Sequence, residues 1–425
     1  MQRVRGTIDN FQDHVSTDID FFEFGFSRPS ALALFAVVAL LFLVPDTHQR
    51  IALRGKPSAL PPRINFFLNQ PLPLMQAVAR HWARHGRWVT AASATDDAPL
   101  FPPAVNMSSF PPDDRDFTAF IKSCGSDQAR AIPLSQRWRF PDAVNSTRTP
   151  RAEPTYLTWN RDATCTALRG RAVIILGDSM SGEFTDTLVT ALQSKESSPQ
   201  LKLRSFRADV CDGNSVPVFS IFAPRWIGDD FPARWEEPTL HSQNVQNRIF
   251  FQELISEAAA AADRATGSTG GVGTLWVLNR GAHYADLDDH LDRVATTLDF
   301  VRYIAPRAAI FWRTTGPAHP DHLVDPAVQN SAPLKTPLGV DQYDVHWSRT
   351  YKWWEFYAQN DATLANLPTD VVPLEVHHSA MLRHDSHCLR GVFEEPDGLH
   401  YCMPGPIDSW VELFAAVVRF GLESK

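Results

Sequence analysis

Residues 155–425 read as an α/β domain built on a parallel or mostly parallel sheet. Two observations predict this. Short apolar runs of strand length alternate with longer amphipathic stretches of helix length, as expected of a sheet covered by helices on both faces. The preceding segment, from Pro57 to about Pro154, is instead rich in Pro, Ser, Asp and Arg, and it reads as a stem passing into an irregular lead-in. A chain of 425 residues suffices for one large domain or two ordinary ones.

The elements follow in order. Ser30–Val44 (SALALFAVVALLFLV) carries no charge. Its fifteen residues fall between a bilayer span of about 20 and a signal-peptide core of about 10 to 14. The long preface contains Asp9, Asp13, Asp18, Asp20 and Glu23, and Phe21–Phe26 adds interfacial aromatics. Both features favour an uncleaved anchor over a cleaved signal or a soluble helix. Arg50, Arg54, Lys56 and Arg63 follow the run and by the positive-inside rule belong in the cytoplasm. The sequons at Asn106 and Asn145 favour the opposite side. Leu72–Trp88 is the one helix-like stretch of the lead-in. In the main domain the clearest strands are Ala172–Leu176, Thr274–Leu278 and Ala308–Trp312, and the clearest helices are Arg248–Ala265 and Leu287–Ile304. The expected organisation is therefore a cytoplasmic tail (1–29), a membrane anchor (30–45), a stem and lead-in (46–154) and a catalytic domain (155–425).

Composition excludes some functions. With 40 Lys+Arg against 48 Asp+Glu, a net charge of −8 and no basic block, nothing in the electrostatics calls for nucleic acid. Five cysteines are too few for a disulfide scaffold.

Three blocks carry chemistry. In RAVIILGDSMSGEF, a buried strand runs into Gly177-Asp178-Ser179 and then a helix. Ser179 would sit at the strand's carboxyl end and the helix N-terminus, where free amides can stabilise an oxyanion; the same tripeptide also suits an ordinary helix cap. In DGLHYCMPGPIDSW, Asp397 precedes His400 by three residues in a Gly- and Pro-rich loop. That spacing can bring a carboxylate to an imidazole and supply the base a serine needs. A helix-capping Asp beside an incidental His would look similar. Asn279, in NRGAHY after the TLWVL strand, can donate its amide to an oxyanion or form an Asx turn.

Together these blocks resemble the PC-esterase or trichome-birefringence-like group of the SGNH/GDSL hydrolases. Tyr156–Gly170, Trp312–His319 and Leu382–His387 are also similar, so the resemblance runs roughly from Tyr156 to Phe420. It implies a flavodoxin-like three-layer α/β/α domain and acyl-ester chemistry. In plant members that chemistry transfers acetyl groups onto cell-wall polysaccharides, usually in type II Golgi proteins.

Carried over residue by residue, the resemblance implies a Ser179–Asp397–His400 triad and an oxyanion hole from the Ser179 amide, Asn279 and Gly213. Asp178, His283 and Arg313 are candidate substrate-binding residues, with His283 and Arg313 equally readable as structural. No cofactor is expected to be bound. The donor would be a species such as acetyl-CoA, and the partners a glycan acceptor, the membrane through the N-terminal helix and an acetyl-donor transporter. Gly398 and Tyr401 replace residues of the plant pattern, so one of its disulfides cannot form, and the family architecture suggests that Cys402 pairs with Cys165. Cys124, Cys211 and Cys388 are left over. The cluster His377, His378, His384, Asp385 and His387 matches no familiar zinc spacing, so no metal is expected. The rival readings are an esterase, a catalytically dead glycan-binding relative and a metal-dependent hydrolase.

Overall fold

A computed structural model describes residues 69–90, 136–139, 159–193, 205–212, 215–222, 238–281, 287–321, 327, 352–387, 397–402 and 405–422. In chain order the helices are α1 (Leu72–His85), α2 (Arg161–Leu168), α3 (Ser179–Leu192), α4 (Pro238–Thr266), α5 (Leu287–Ile304), α6 (Phe356–Asn366), α7 (His377–Ala380) and α8 (Pro406–Leu422). The strands are β1 (Arg87–Thr90), β2 (Gln136–Arg139), β3 (Ala172–Gly177), β4 (Ser205–Val210), β5 (Val216–Phe222), β6 (Thr274–Leu278), β7 (Ala309–Arg313) and β8 (Val371–Leu374).

The central sheet has the order β4-β5-β3-β6-β7-β8. Strands β5, β3, β6, β7 and β8 are parallel, and β4 pairs antiparallel with β5 at one edge. Counting the parallel strands along the chain gives the order 2-1-3-4-5 of a flavodoxin-like sheet. β3, β6 and β7 are buried throughout, which explains their unbroken apolar runs. Val173, Ile175, Leu275, Val277 and Phe311 face α3 and α8, whereas Ile174, Leu176, Trp276, Leu278 and Ile310 face α4 and α5. The alternation of side chains along each strand thus feeds two cores and makes three layers.

Of the predicted elements, Thr274–Leu278 and Leu287–Ile304 form as expected. β7 is displaced by one residue, and α4 begins ten residues before Arg248. α8 is apolar nearly all round because it is buried between layers; Phe414 meets Phe184 and Phe311 edge-on. Its last carbonyls lack intrahelical N–H donors. They are met by Asn69, whose amide donates to Gly421 O and whose side chain donates to Leu422 O, both at 2.7 Å.

The boundary expected at residue 154 is corrected. The compact unit containing the sheet spans Pro62–Lys425. Within it α1 buries Met75, Ala79, Trp82 and Ala83 and lies along β8, the far edge strand. Gln76 donates from Nε2 to Val371 O at 2.8 Å and to Thr369 O at 3.1 Å, covering an edge that would otherwise be open to pairing. Beneath α1, the fully buried Glu375 pairs with Arg80, Arg84 and His378. Burial favours the protonated carboxyl, but hydrogen bonds from His378 and Arg84 outweigh it and hold the pKa down. Trp88 extends the contact by donating from Nε1 to Ser379 O at 2.6 Å.

A second correction concerns the cysteines. Cys165 pairs with Cys211, not with Cys402, so the bond ties α2 to the end of β4 and not to the His400 loop. Cys402 is also disulfide-bonded. The expected anchor (30–45) and both sequons also lie outside the described residues. Among the described residues no helix is long and apolar enough to cross a membrane.

Candidate active site

β3 ends in Gly177, and Asp178 takes an extended conformation as the N-cap of α3. Its Oδ1 accepts from Met180 N at 3.1 Å, and its carbonyl accepts from Ser181 N and Gly182 N. The turn therefore uses Asp178 to satisfy the orphan amides of the first helical turn. Ser179, at the first helical position, is only part-buried. Gly177 allows the tight fit, since a Cβ there would lie 2.1 Å from Ser181 Oγ.

The imidazole arrives from the other end of the chain. Asp397 Oδ1 accepts the main-chain amides of Leu399 at 2.8 Å and His400 at 3.0 Å, while Oδ2 lies 2.7 Å from His400 Nδ1. His400 Nε2 is 2.7 Å from Ser179 Oγ. One carboxylate thus shapes the turn with one oxygen and orients the base with the other. This loop is fixed from below. His319 N donates to Gly398 O at 2.7 Å, Cys402 N donates to Ser386 O at 2.7 Å, and His387 donates from Nδ1 to His400 O at 2.9 Å. Tyr401 stacks on His387 and donates its hydroxyl to Pro317 O.

The electrostatics follow from this arrangement. Burial disfavours the imidazolium of His400, but the Asp397 charge and hydrogen bond outweigh it and raise the pKa to about 9. Burial would raise Asp397, but the His400 charge, its hydrogen bond and the two amides lower it below the usual carboxylate value. The pair favours an imidazolium, the form His400 would take on accepting a proton from Ser179.

Other expected site residues divide. Asn279 is corrected as an oxyanion donor: its Nδ2 donates to Arg313 O at 3.0 Å and Thr315 Oγ1 at 3.3 Å, joining the ends of β6 and β7. Arg313 and Asp178 are corrected as substrate contacts. Arg313 is fully buried, donates from Nη2 to Ser181 Oγ at 2.8 Å and lies 4.0 Å from Asp178, itself 2% exposed. Burial lowers the Arg313 guanidinium to about 10 while the Asp178 and Glu183 charges oppose that, so it stays charged at neutral pH. The Ser179 N–H has no hydrogen-bond partner among the described residues and stands at the positive end of α3. Gly213 and His283 lie outside the described residues.

The histidines of the cluster go to separate partners. His377 meets Thr314, His378 meets Glu375, His384 meets Asp321, and His387 bridges His319 and His400 O. Among the described residues no group of three or more His, Cys, Asp or Glu side chains is arranged to hold a metal ion.

Geometrically this is a serine, histidine and carboxylate in series at the carboxyl end of the first parallel strand, where ligands bind in such sheets. Comparison of the chain with known families agrees with it. Residues 283–417 match the PC-Esterase model, described as a GDSL/SGNH-like acyl-esterase family found in Pmr5 and Cas1p. Residues 283–417 are thus similar to the PC-esterase family. The PC-esterase match includes Asp397 and His400 and begins after Ser179 and Asn279, so Ser179 enters the site on geometry. The match does not single out the trichome-birefringence-like branch. No curated protein matched the chain.

Sequence reasoning missed Glu183, a fully buried carboxyl beside this site. The signal was available, since Glu183 lies four residues after Ser179 in a stretch read as helix.

Proposed function

We propose that the protein is a serine-dependent O-acyltransferase that moves acetyl groups onto glycan or polysaccharide hydroxyls. The observation that carries this reading is the chain of two 2.7 Å contacts from Asp397 through His400 to Ser179. His400 Nε2 takes the Ser179 proton as Oγ attacks the acyl carbonyl, and the Ser179 amide at the α3 N-terminus faces the oxyanion. The leaving group departs with the proton from His400, which leaves an acetyl-serine. A sugar hydroxyl, deprotonated by the same imidazole, then takes the acetyl group.

The second reading is an acyl esterase in which water replaces the sugar, and the acyl-esterase wording of the family description favours it. The same three side chains serve both, because the outcome depends on how well an acceptor excludes water. The reading also takes residues 30–45 as a single anchor with the catalytic unit in the lumen of the secretory pathway. The Cys165–Cys211 bond supports an oxidising compartment.

The test is incubation of the purified protein with an acetyl donor such as acetyl-CoA and a panel of glycans, followed by product mass. Acetyl gain on one glycan class, absent with Ser179→Ala, supports the transferase. Release of acetate alone supports the esterase. Activity undiminished in Ser179→Ala removes both.

A further inference from the structure

Glu183 lies four residues after Ser179 on α3, so both side chains project from one face of the helix. It is 1% exposed, and the one donor that reaches its carboxyl, the main-chain N–H of Tyr401, falls short of full hydrogen-bond geometry. An ionised carboxylate there would lack water and have only that poorly aligned amide to solvate it. Ser179, one turn before it, lies 2.7 Å from His400 Nε2, and Tyr401 directly follows His400, so the carboxyl stands in the field of the imidazole and the two act on each other.

The charged and titratable groups that bear on Glu183 come from four elements. The C-terminal loop brings His400, Asp397 and Tyr401, the last also through its main-chain N–H. The β3–α3 turn brings Asp178, α3 itself brings Asp186, and β7 brings Arg313. Asp186 is also fully buried and is pushed upward by burial and by Glu183.

Resting on the triad reading above, we propose that Glu183 is a positioning acid whose proton is coupled to that of His400, so that two carboxyl groups decide when the imidazole can accept the Ser179 proton. Burial foremost, with Asp397 and Asp178, raises Glu183 to about 8 against the opposing His400 charge and Tyr401 amide. It therefore titrates near His400, and the two lose protons as a pair. When the pair holds one proton, two arrangements compete. Protonated Glu183 beside neutral His400 is active, because Nε2 is bare. Ionised Glu183 beside imidazolium is inactive, because Nε2 already carries its proton. The carboxyl thereby holds back activation of Ser179 until the pH is high enough to clear the pair.

Glu183→Gln removes the inactive arrangement. Glu183→Leu does the same without a buried polar group and serves if the amide variant folds poorly. The experiment follows the pH dependence of Ser179 labelling by a fluorophosphonate in the full chain, with Ser179→Ala as the blank. The expected result is a rising limb displaced to lower pH by about half a unit or more, about a threefold gain in labelling at neutral pH. A limb that coincides with the wild type in both variants, whatever happens to the absolute rate, overturns the proposal and leaves Glu183 a structural acid. If the wild type is labelled no faster than Ser179→Ala at any pH, the nucleophile reading itself falls and takes this inference with it.

Discussion

Arg313 donates from Nη2 to Ser181 Oγ at 2.8 Å, two residues beyond Ser179, and its guanidinium lies over the Trp410 ring at 5.1 Å. The end of β7 is thereby connected to the turn that carries Ser179 and to the helix that follows the His400 loop. Both halves of the site rest on one buried cation. Its Nε has no hydrogen-bond partner among the described residues, so the position relies on Ser181, the Thr314 carbonyl, Asp178 and the ring.

Replacing Arg313 should therefore affect both stability and geometry. Arg313→Met leaves Asp178 without its cation and should lower stability by about 3–5 kcal/mol, the usual cost of breaking a buried pair. Arg313→Lys keeps the charge but loses the planar fork that reaches Ser181 and stacks on Trp410, so it should recover little. Urea unfolding of the two variants and Ser181→Ala checks this. Equal stability of Arg313→Met and wild type would show that the cation is dispensable.

Asp397→Asn separates the two duties of that carboxylate. An amide oxygen can still accept from the Leu399 and His400 amides, so the turn should persist. Its NH₂ group cannot accept from His400 Nδ1–H, and the imidazole should lose the tautomer that leaves Nε2 free. The expected result is a fall in acetyl-ester turnover of about 10⁴ with a near-normal melting temperature. A circular-dichroism melt run beside the assay distinguishes this from unfolding.

Activity and stability should have opposite pH slopes. His400 must be neutral to accept a proton, and its pKa is raised from 6.5 to about 9, so kcat/KM should climb through the alkaline range. A raised histidine contributes stability that is fully present below 6.5 and lost as pH rises through 9. Glu183 is raised from 4.5 to about 8, so the fold prefers it protonated and also loses stability as pH rises through that window. Asp397 has the opposite sign, with stability present above its usual value and lost on acidification. Melting temperature should decline from about pH 6.5 to 9 while turnover of an acetyl ester increases. A turnover optimum near pH 6 would contradict the charge state of His400.

How much of this was legible in the sequence depends on the range of the interaction that decides each feature. β3, β6 and β7 are legible because strands buried on both faces are continuously apolar. β4 (SFRADV) is an edge strand with alternating polar residues, and β8 (VVPL) has only four residues, one of them Pro373; neither announces itself. The Asp397–His400 contact is legible because three residues separate the partners. The Cys165–Cys211 pairing and the tethering of Asn279 depend on which strand ends become neighbours, which is a property of the folded sheet. Glu183 reads as an ordinary helical residue until a distant loop sets an imidazole beside it.

The Cys165–Cys211 bond closes a separation of 46 residues between α2 and the end of β4. Cys165→Ser should cost about 2–4 kcal/mol, mainly by freeing the unfolded chain. Because neither cysteine touches Ser179, Asp397 or His400, the loss should show in the melting temperature and not in the low-temperature rate. Substitution is the cleaner test, since a reductant would also open the bond made by Cys402.

The position of α1 sets where the catalytic unit can be cut. A fragment starting at residue 155 would expose the α8 surface covered by Met75, Ala79 and Trp82, and the β8 edge contacted by Gln76. It would also leave the buried Glu375 without Arg80 and Arg84. Each large apolar contact contributes roughly 1.5–3 kcal/mol, and an unpaired edge strand invites intermolecular pairing. Their combined loss rivals the whole stability of an ordinary domain, about 5–15 kcal/mol. Residues 62–425 should therefore yield a monodisperse protein with a cooperative melt, and residues 155–425 an aggregate. Glu375→Ala in the longer fragment should fall between them, because Arg80 and Arg84 are nearly half exposed and keep their hydration. Size-exclusion chromatography of the three proteins is the measurement, and a soluble, cooperatively melting 155–425 fragment would return the boundary to residue 154.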